Sequence, residues 1–96
     1  MHPTYPLGLI KGLMRDNSWL MTRSALDTAG DLGFDEEDVF DCVVNQLSET
    51  HFYKTMSARG AANCMQDVYR ITYQGVRIYL KLQVRVEAVV VSFKKQ

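Results

Sequence analysis

The clearest pattern in the chain begins at Val76. Val76, Ile78, Leu80, Leu82, Val84 and Val86 alternate over twelve residues with Arg77, Tyr79, Lys81, Gln83, Arg85 and Glu87. Period two at this length marks a strand with one buried and one wet face. Residues 89–94 and 65–73 read as two further strands, and Phe52-Tyr53-Lys54-Thr55-Met56 as a shorter fourth. Gln74-Gly75 separates two of these runs by two residues, a tight-turn signal because glycine tolerates positive φ. Glu87-Ala88 is taken as the next turn, on poorer turn chemistry.

The first half has helical spacing instead. Ile10, Leu13 and Met14 place an amphipathic helix over about 6–15, loosened by Gly8 and Gly12. Ser18-Trp19-Leu20-Met21 is a short apolar stretch, either a strand or a connector. Ser24-Ala25-Leu26-Asp27 looks like a helix start, with Gly33 placed to end that helix. Asp35 is placed to cap a third helix whose first turn, Glu36-Glu37-Asp38, suits the positive end of the helix dipole. Its stripe of Val39, Phe40, Val43, Val44 and Leu47 calls for something flat to pack on. The predicted architecture is α+β and a single domain over residues 1–96. N-terminal helices (about 6–48) cover one face of a C-terminal antiparallel sheet (about 52–94).

Composition sharpens this picture. The chain has 96 residues, 47% of them apolar, a balance typical of a globular protein, and a formal net charge of zero. That zero conceals a division. Residues 1–50 carry three cationic and nine anionic side chains, a net −6, while residues 51–96 carry eight and two, a net +6. Acid falls on the predicted helices and base on the predicted sheet, which is a reason to look for a polyanion partner.

The strand registers place the positive charge more closely. A Gln74-Gly75 turn sets Tyr73 opposite Val76, Arg70 opposite Tyr79 and Gln66 opposite Gln83. A Glu87-Ala88 turn sets Val86 opposite Val89 and Lys81 opposite Lys94. Directly opposed residues share a face. One face therefore collects Gln66, Arg70, Arg77, Tyr79, Lys81, Gln83, Arg85 and Lys94, and the other is mostly aliphatic and aromatic. Like charges set opposite one another destabilise a sheet unless they splay into water or share an anion. Five cations with a Tyr and two Gln on one face favour an anion site, with phosphate the obvious anion.

Other classes drop out. No apolar run approaches the roughly 18 residues of a membrane span, and Met1-His2-Pro3-Thr4-Tyr5-Pro6 lacks the makings of a signal peptide. Cys42 and Cys64 sit in no metal-binding or redox spacing and read as reduced thiols in a cytoplasmic protein. The carboxylates fall on helices away from the basic face, so no metal or cofactor is expected. Gly60-Ala61-Ala62 reads as a flexible loop without a phosphate-loop pattern.

Several segments resemble one family. Phe52-Tyr53-Lys54-Thr55-Met56, Gln66-Asp67-Val68-Tyr69-Arg70, Tyr79-Leu80-Lys81 and Val91-Ser92-Phe93-Lys94 are similar, in order and spacing, to the FYKSM, WQDVYR, YLK and VSFK segments of the motility quorum-sensing regulator (MqsR) toxins. Thr22-Arg23-Ser24-Ala25-Leu26, Leu32-Gly33 and Leu47-Ser48-Glu49 extend the resemblance more weakly into the first half. The stretch 57–65 departs from the family, lacking an aromatic, an acid, a His and a Trp.

The resemblance implies a compact bacterial RNase toxin of RelE-like α+β fold. Such a toxin cleaves single-stranded mRNA at short GC-initiated sites, typically GCU, without a ribosome. It also implies a cognate antitoxin that holds the toxin inactive and brings the pair to DNA. The family's functional positions correspond to Lys54, Gln66, Tyr79 and Lys94, with Arg70 and Lys81 nearby; Arg77 and Gln83 complete the expected substrate surface.

Metal-independent cleavage of RNA needs a base for the 2′-hydroxyl, positive charge on the phosphate and an acid for the leaving 5′-oxygen. Lys54 is expected as base or charge stabiliser, Tyr79 as acid or positioner, Lys94 and Arg70 on the phosphate, and Gln66 on phosphate or a base edge. His51 is a lesser candidate for the base. Plainer readings stand beside these: Tyr79 as an exposed strand aromatic, Gln66 as an edge polar residue, Asp67 as a group orienting a neighbouring cation. Two other functions use the same features: a non-catalytic nucleic-acid-binding module, and a regulatory domain that binds a partner by its sheet edge.

Overall fold

The computed structural model describes residues 2–57 and 64–96. Helix α1 (Leu7–Arg15) is followed by strand β1 (Trp19–Met21), α2 (Arg23–Asp31) and α3 (Glu36–Asp41), which runs on into a π-helical turn at Cys42–Gln46. A 3₁₀ turn (Glu49–His51) leads into β2 (Phe52–Ser57), then β3 (Met65–Tyr73), β4 (Val76–Val84) and β5 (Ala88–Lys95). The fold is α+β, with the helices N-terminal and most of the sheet C-terminal. The loop expected at Gly60-Ala61-Ala62, and most of the divergent stretch 57–65, lie outside the described residues.

Strand order is β1-β5-β4-β3-β2. β2, β3, β4 and β5 are antiparallel neighbours, but β1 pairs parallel to β5, with Leu20 opposite Val89. The sheet is therefore mixed, not purely antiparallel as the sequence suggested. Three residues alternate too briefly to announce a strand, and what makes Trp19–Met21 one is its partner at the far end of the chain. Thr22 and Thr28, flanking and within α2, fix that end by donating to the Val91 and Phe93 carbonyls at 2.7 and 2.6 Å.

Helix signals held with one shift. Asp35 and Asp38 form the reciprocal capping box of α3, and Gly33 ends α2 at φ +85°. The α2 cap is Thr22, not Ser24: its hydroxyl accepts from the Ala25 N–H at 3.1 Å. Tyr73 ties β3 to α3 by donating to Asp41 at 2.7 Å. The core combines Ile10, Met14, Val39, Val43 and Leu47 from the helices with Ile78, Leu80, Leu82, Val90 and Phe93 from the sheet. Cys42 lies within it, and burial pushes its thiol pKa up to about 12, which leaves it an unreactive apolar filler.

The first hairpin matches expectation, with Arg70 opposite Tyr79 and Tyr73 opposite Val76. Gln74 and Gly75 have φ of 48° and 79°, as a type I′ turn requires at both central positions. The second hairpin does not match. Its loop is Arg85-Val86-Glu87, closed by the Arg85 N–H on the Glu87 carbonyl at 3.0 Å, and Ala88 already pairs with Val84. Val86, expected on the buried face, is 87% exposed at the loop tip. Lys94 is therefore opposite Tyr79 and Lys81 opposite Ser92, so the expected like-charge pair is resolved by a two-residue shift. A bulge after Lys81 then places both Val91 and Ser92 between the core residues Val90 and Phe93.

Asp67 corrects another expectation. It is fully buried, and its carboxylate accepts from the backbone N–H groups of Thr4 and Tyr5 at 2.8 and 2.9 Å and from the Thr55 hydroxyl at 2.7 Å. It anchors the N-terminal segment to the sheet and orients no cation. A carboxylate with three donors is a stable buried group, since each charge-assisted bond offsets part of the desolvation cost.

Candidate nucleic-acid face

The helices cover one side of the sheet and leave the other open. Strand alternation puts Arg77, Tyr79, Lys81 and Gln83 of β4 on the open side, with Thr72, Arg70 and Val68 of β3 as their neighbours. β2 adds Lys54 and Met56, and β5 adds Lys94, Ser92 and Val89. Every expected site residue (Lys54, Gln66, Arg70, Arg77, Tyr79, Lys81, Gln83 and Lys94) thus lies on one surface.

Its centre is cationic. Tyr79 has the Lys94 and Lys81 ammonium groups 5.4 and 5.8 Å from its ring centroid, within cation–π range. Val68, flanked across the sheet by Lys54 and Lys81, has no exposed surface although it belongs to no part of the helical core. Lys81 is half-buried, and its pKa is held below the ordinary lysine value, first by burial and then by the charges of Lys94 and Lys54. The one ion pair among the described residues is Arg23 with Asp27, on the surface of α2. The cations of the open face have no carboxylate partner there and are available to an external anion.

Tyr53 is a residue that sequence reasoning missed. Strict alternation would put it on the face opposite Lys54. A register shift between Phe52 and Lys54 brings both to the open side, where the Arg70 guanidinium stacks 3.7 Å above the Tyr53 ring and Lys54 lies 5.4 Å away. The aromatic beside a lysine was a visible signal; the bulge was not.

The remaining expected groups are more peripheral. Arg77 is exposed and shares a depression with His51, Arg70 and Thr72, away from the one formed by Tyr79, Lys81 and Lys94. His51 Nδ1 accepts the Ser48 N–H at 3.0 Å, which commits that nitrogen to the 3₁₀ turn. Gln66 and Gln83 do face each other, Nε2 to Oε1 at 3.5 Å. Among the described residues, no group of three or more His, Cys, Asp and Glu side chains is placed to hold a metal ion. Another depression, of about 600 Å³, lies on the helical side between Met14, Arg15, Trp19, Glu36, Glu37 and Phe40. Its two carboxylates outnumber its single guanidinium, which does not favour a polyanion.

The structure is thus that of a small α+β protein whose uncovered sheet face gathers lysines and arginines around two tyrosines, with no carboxylate partner there among the described residues. The family is shown by comparison with known proteins. Residues 2–95 match the model of the motility quorum-sensing regulator family, described as the toxin of MqsA, and the chain belongs to that family. It is similar to the mRNA interferase toxin MqsR of Escherichia coli (strain K12), at 35% identity over 94 residues, covering 98% of this chain and 95% of the relative.

Proposed function

We propose that this protein is the toxin of a toxin–antitoxin pair and acts as an endoribonuclease on single-stranded mRNA, with the open sheet face as its active surface. The observation that carries the reading is the cluster of Lys81 and Lys94 at the Tyr79 ring with Lys54 beside Lys81, without an ion-pair partner among the described residues and sited where the family motifs fall. Cleavage proceeds by attack of a ribose 2′-oxygen on the adjacent phosphorus. The 2′-hydroxyl proton passes to a base, the P–O5′ bond breaks, the leaving oxygen takes a proton, and a 2′,3′-cyclic phosphate remains.

Lys81 is the base best supported by its surroundings, since burial and its two lysine neighbours favour the neutral amine. This shifts the base role from Lys54 to Lys81. Lys54, Lys94 and Arg70 then hold the charge developing on the phosphate oxygens, and the Tyr79 hydroxyl supplies the proton for O5′ or positions it. Gln66 orients the nucleotide. The chain's own groups suffice for these steps, so no metal is needed.

Short GC-initiated cleavage sites and independence from the ribosome are carried over from the family resemblance. So is an antitoxin partner, with DNA reached only through it. No helix among the described residues is long and apolar enough to cross a membrane, which is in keeping with action in the cytoplasm.

The test is incubation of the purified protein with single-stranded RNA carrying GCU and GCA sites in EDTA. Discrete fragments ending in cyclic phosphate are expected. Intact RNA together with salt-sensitive binding would instead establish a non-catalytic binding module on the same face.

A further inference from the structure

Below Lys81 the open face changes character. Gln83 and Gln66 take the place of the lysines, and the neighbours of Gln83 toward β5 and β1 are apolar. Val89 lies directly opposite it on β5, and Leu20 lies opposite Val89 on the parallel edge strand β1. The bulge in β5 adds Val91 to the same side. These residues line a trough of about 460 Å³ together with Thr22, Arg85 and Glu87, the last two from the hairpin loop. Gln83 is only 6% exposed yet belongs to the open face, and its side-chain amide meets that of Gln66 at 3.5 Å. That is the long limit of a hydrogen bond, so both amides can re-pair with an incoming group at little cost. Leu20, by contrast, is a large apolar side chain left 42% exposed.

A flat apolar floor beside paired amide donors and acceptors suits a planar heterocycle with hydrogen-bonding edges. The charged residues of its lining, Arg85 and Glu87, come from the hairpin loop and cancel, so the amides and valines offer a phosphate no net positive charge. We infer that this trough is a base-reading subsite: one unstacked nucleobase of the RNA lies on Val89, Val91 and Leu20 with its edge against Gln83 and Gln66, while its backbone runs to the lysine cluster. Unpaired bases are recognised by this combination of apolar contact and amide hydrogen bonds to the base edge. The inference rests on the ribonuclease reading for its consequence, sequence preference at one position, but the subsite itself predicts base-dependent binding with or without cleavage.

Two measurements on the full chain test it. Cleaved sites in a mixed RNA pool are sequenced for the wild type, Gln83→Leu and Leu20→Ala. Affinities are measured for short 2′-O-methyl oligonucleotides, which lack the attacking hydroxyl, with one base varied at a time. At a single position relative to the cut, the wild type is expected to favour its base by about tenfold or more. Gln83→Leu should bring that preference within about twofold, and Leu20→Ala should weaken it at the same position. If Gln83→Leu cuts with unchanged preferences at every position, or loses all sequences equally while its melting temperature holds, the subsite is wrong. Should Gln83→Leu fail to fold, Leu20→Ala decides by the same criterion. If the wild type cuts nothing, the ribonuclease reading falls. The subsite then stands if the oligonucleotides show a base preference that the variants lose, and falls if they show none.

Discussion

The two faces of one sheet handle charge in opposite ways. On the helix-covered face, Asp67 is enclosed and fully engaged, with three donors within 2.9 Å. On the open face, Lys54, Lys81 and Lys94 crowd one another and have no carboxylate partner among the described residues. Folding alone explains the first arrangement, since a buried charge is tolerated when its hydrogen bonds are complete. It does not explain the second, where like charges on neighbouring strands work against the sheet. An arrangement that costs stability without repaying it within the fold points to a partner outside it. The same sheet thus carries a fully hydrogen-bonded charge on one face and charges open to an external anion on the other.

The largest effect should come from separating charge from proton transfer on the open face. Lys81→Arg keeps a cation but removes a group that burial and neighbouring cations push toward the neutral form. Cleavage should fall by on the order of 10²–10⁴-fold, while binding of a non-cleavable RNA changes little. Equal loss of both would assign Lys81 to binding alone. The wild-type kcat/KM should rise about tenfold per pH unit while the lysine is mostly protonated, then level off at a pH below the ordinary lysine value. The sign follows from the direction of the shift: burial and neighbouring cations favour the neutral base, so the active form appears earlier as pH rises.

The opposite face should respond in stability and not in chemistry. Asp67→Ala strands the Thr4 and Tyr5 N–H groups and should cost about 2–3 kcal/mol in denaturant unfolding, with cleavage per folded molecule retained. A specific loss of activity at full stability would break the division between the faces.

Smaller effects sharpen it. Tyr53→Ala removes the platform under Arg70 and should weaken single-stranded RNA binding roughly five- to tenfold, by the usual worth of a stacked or cation–π contact. Lys94→Ala should flatten the dependence of log affinity on log salt by about 0.7, one phosphate's worth. Tyr69 provides the least of these: its hydroxyl is buried on the covered side with no hydrogen-bond partner among the described residues. Tyr69→Phe should therefore raise stability by about 1 kcal/mol, visible as a higher melting temperature with cleavage unchanged.

Much of this was legible in the sequence, for identifiable reasons. The β4 alternation is long, and the Gln74-Gly75 turn has the chemistry its geometry demands, so the β3–β4 register and the shared face of Arg70, Tyr79, Gln66 and Gln83 could be read directly. The β4–β5 register could not, because Arg85-Val86-Glu87 forms a loop with none of the usual turn residues and strand alternation continues through it. Tyr53 was missed because a bulge breaks the period on which face assignment depends. Asp67 was misread because its partners are backbone groups more than sixty residues away, which no local pattern encodes. Lys81 stood out only once the spacing of three strands was known.

The pairing of β1 with β5 has a consequence for synthesis. The first strand of the sheet finds its partner only in the last one, and Lys94 arrives on that same strand. A chain still on the ribosome, or one cut short before Ala88, has two unpaired strand edges, an uncovered helix α2 and an incomplete lysine cluster. Such long-range closure makes folding late and cooperative. For a protein that attacks messages, the template being translated is then finished before the product is competent to cut it.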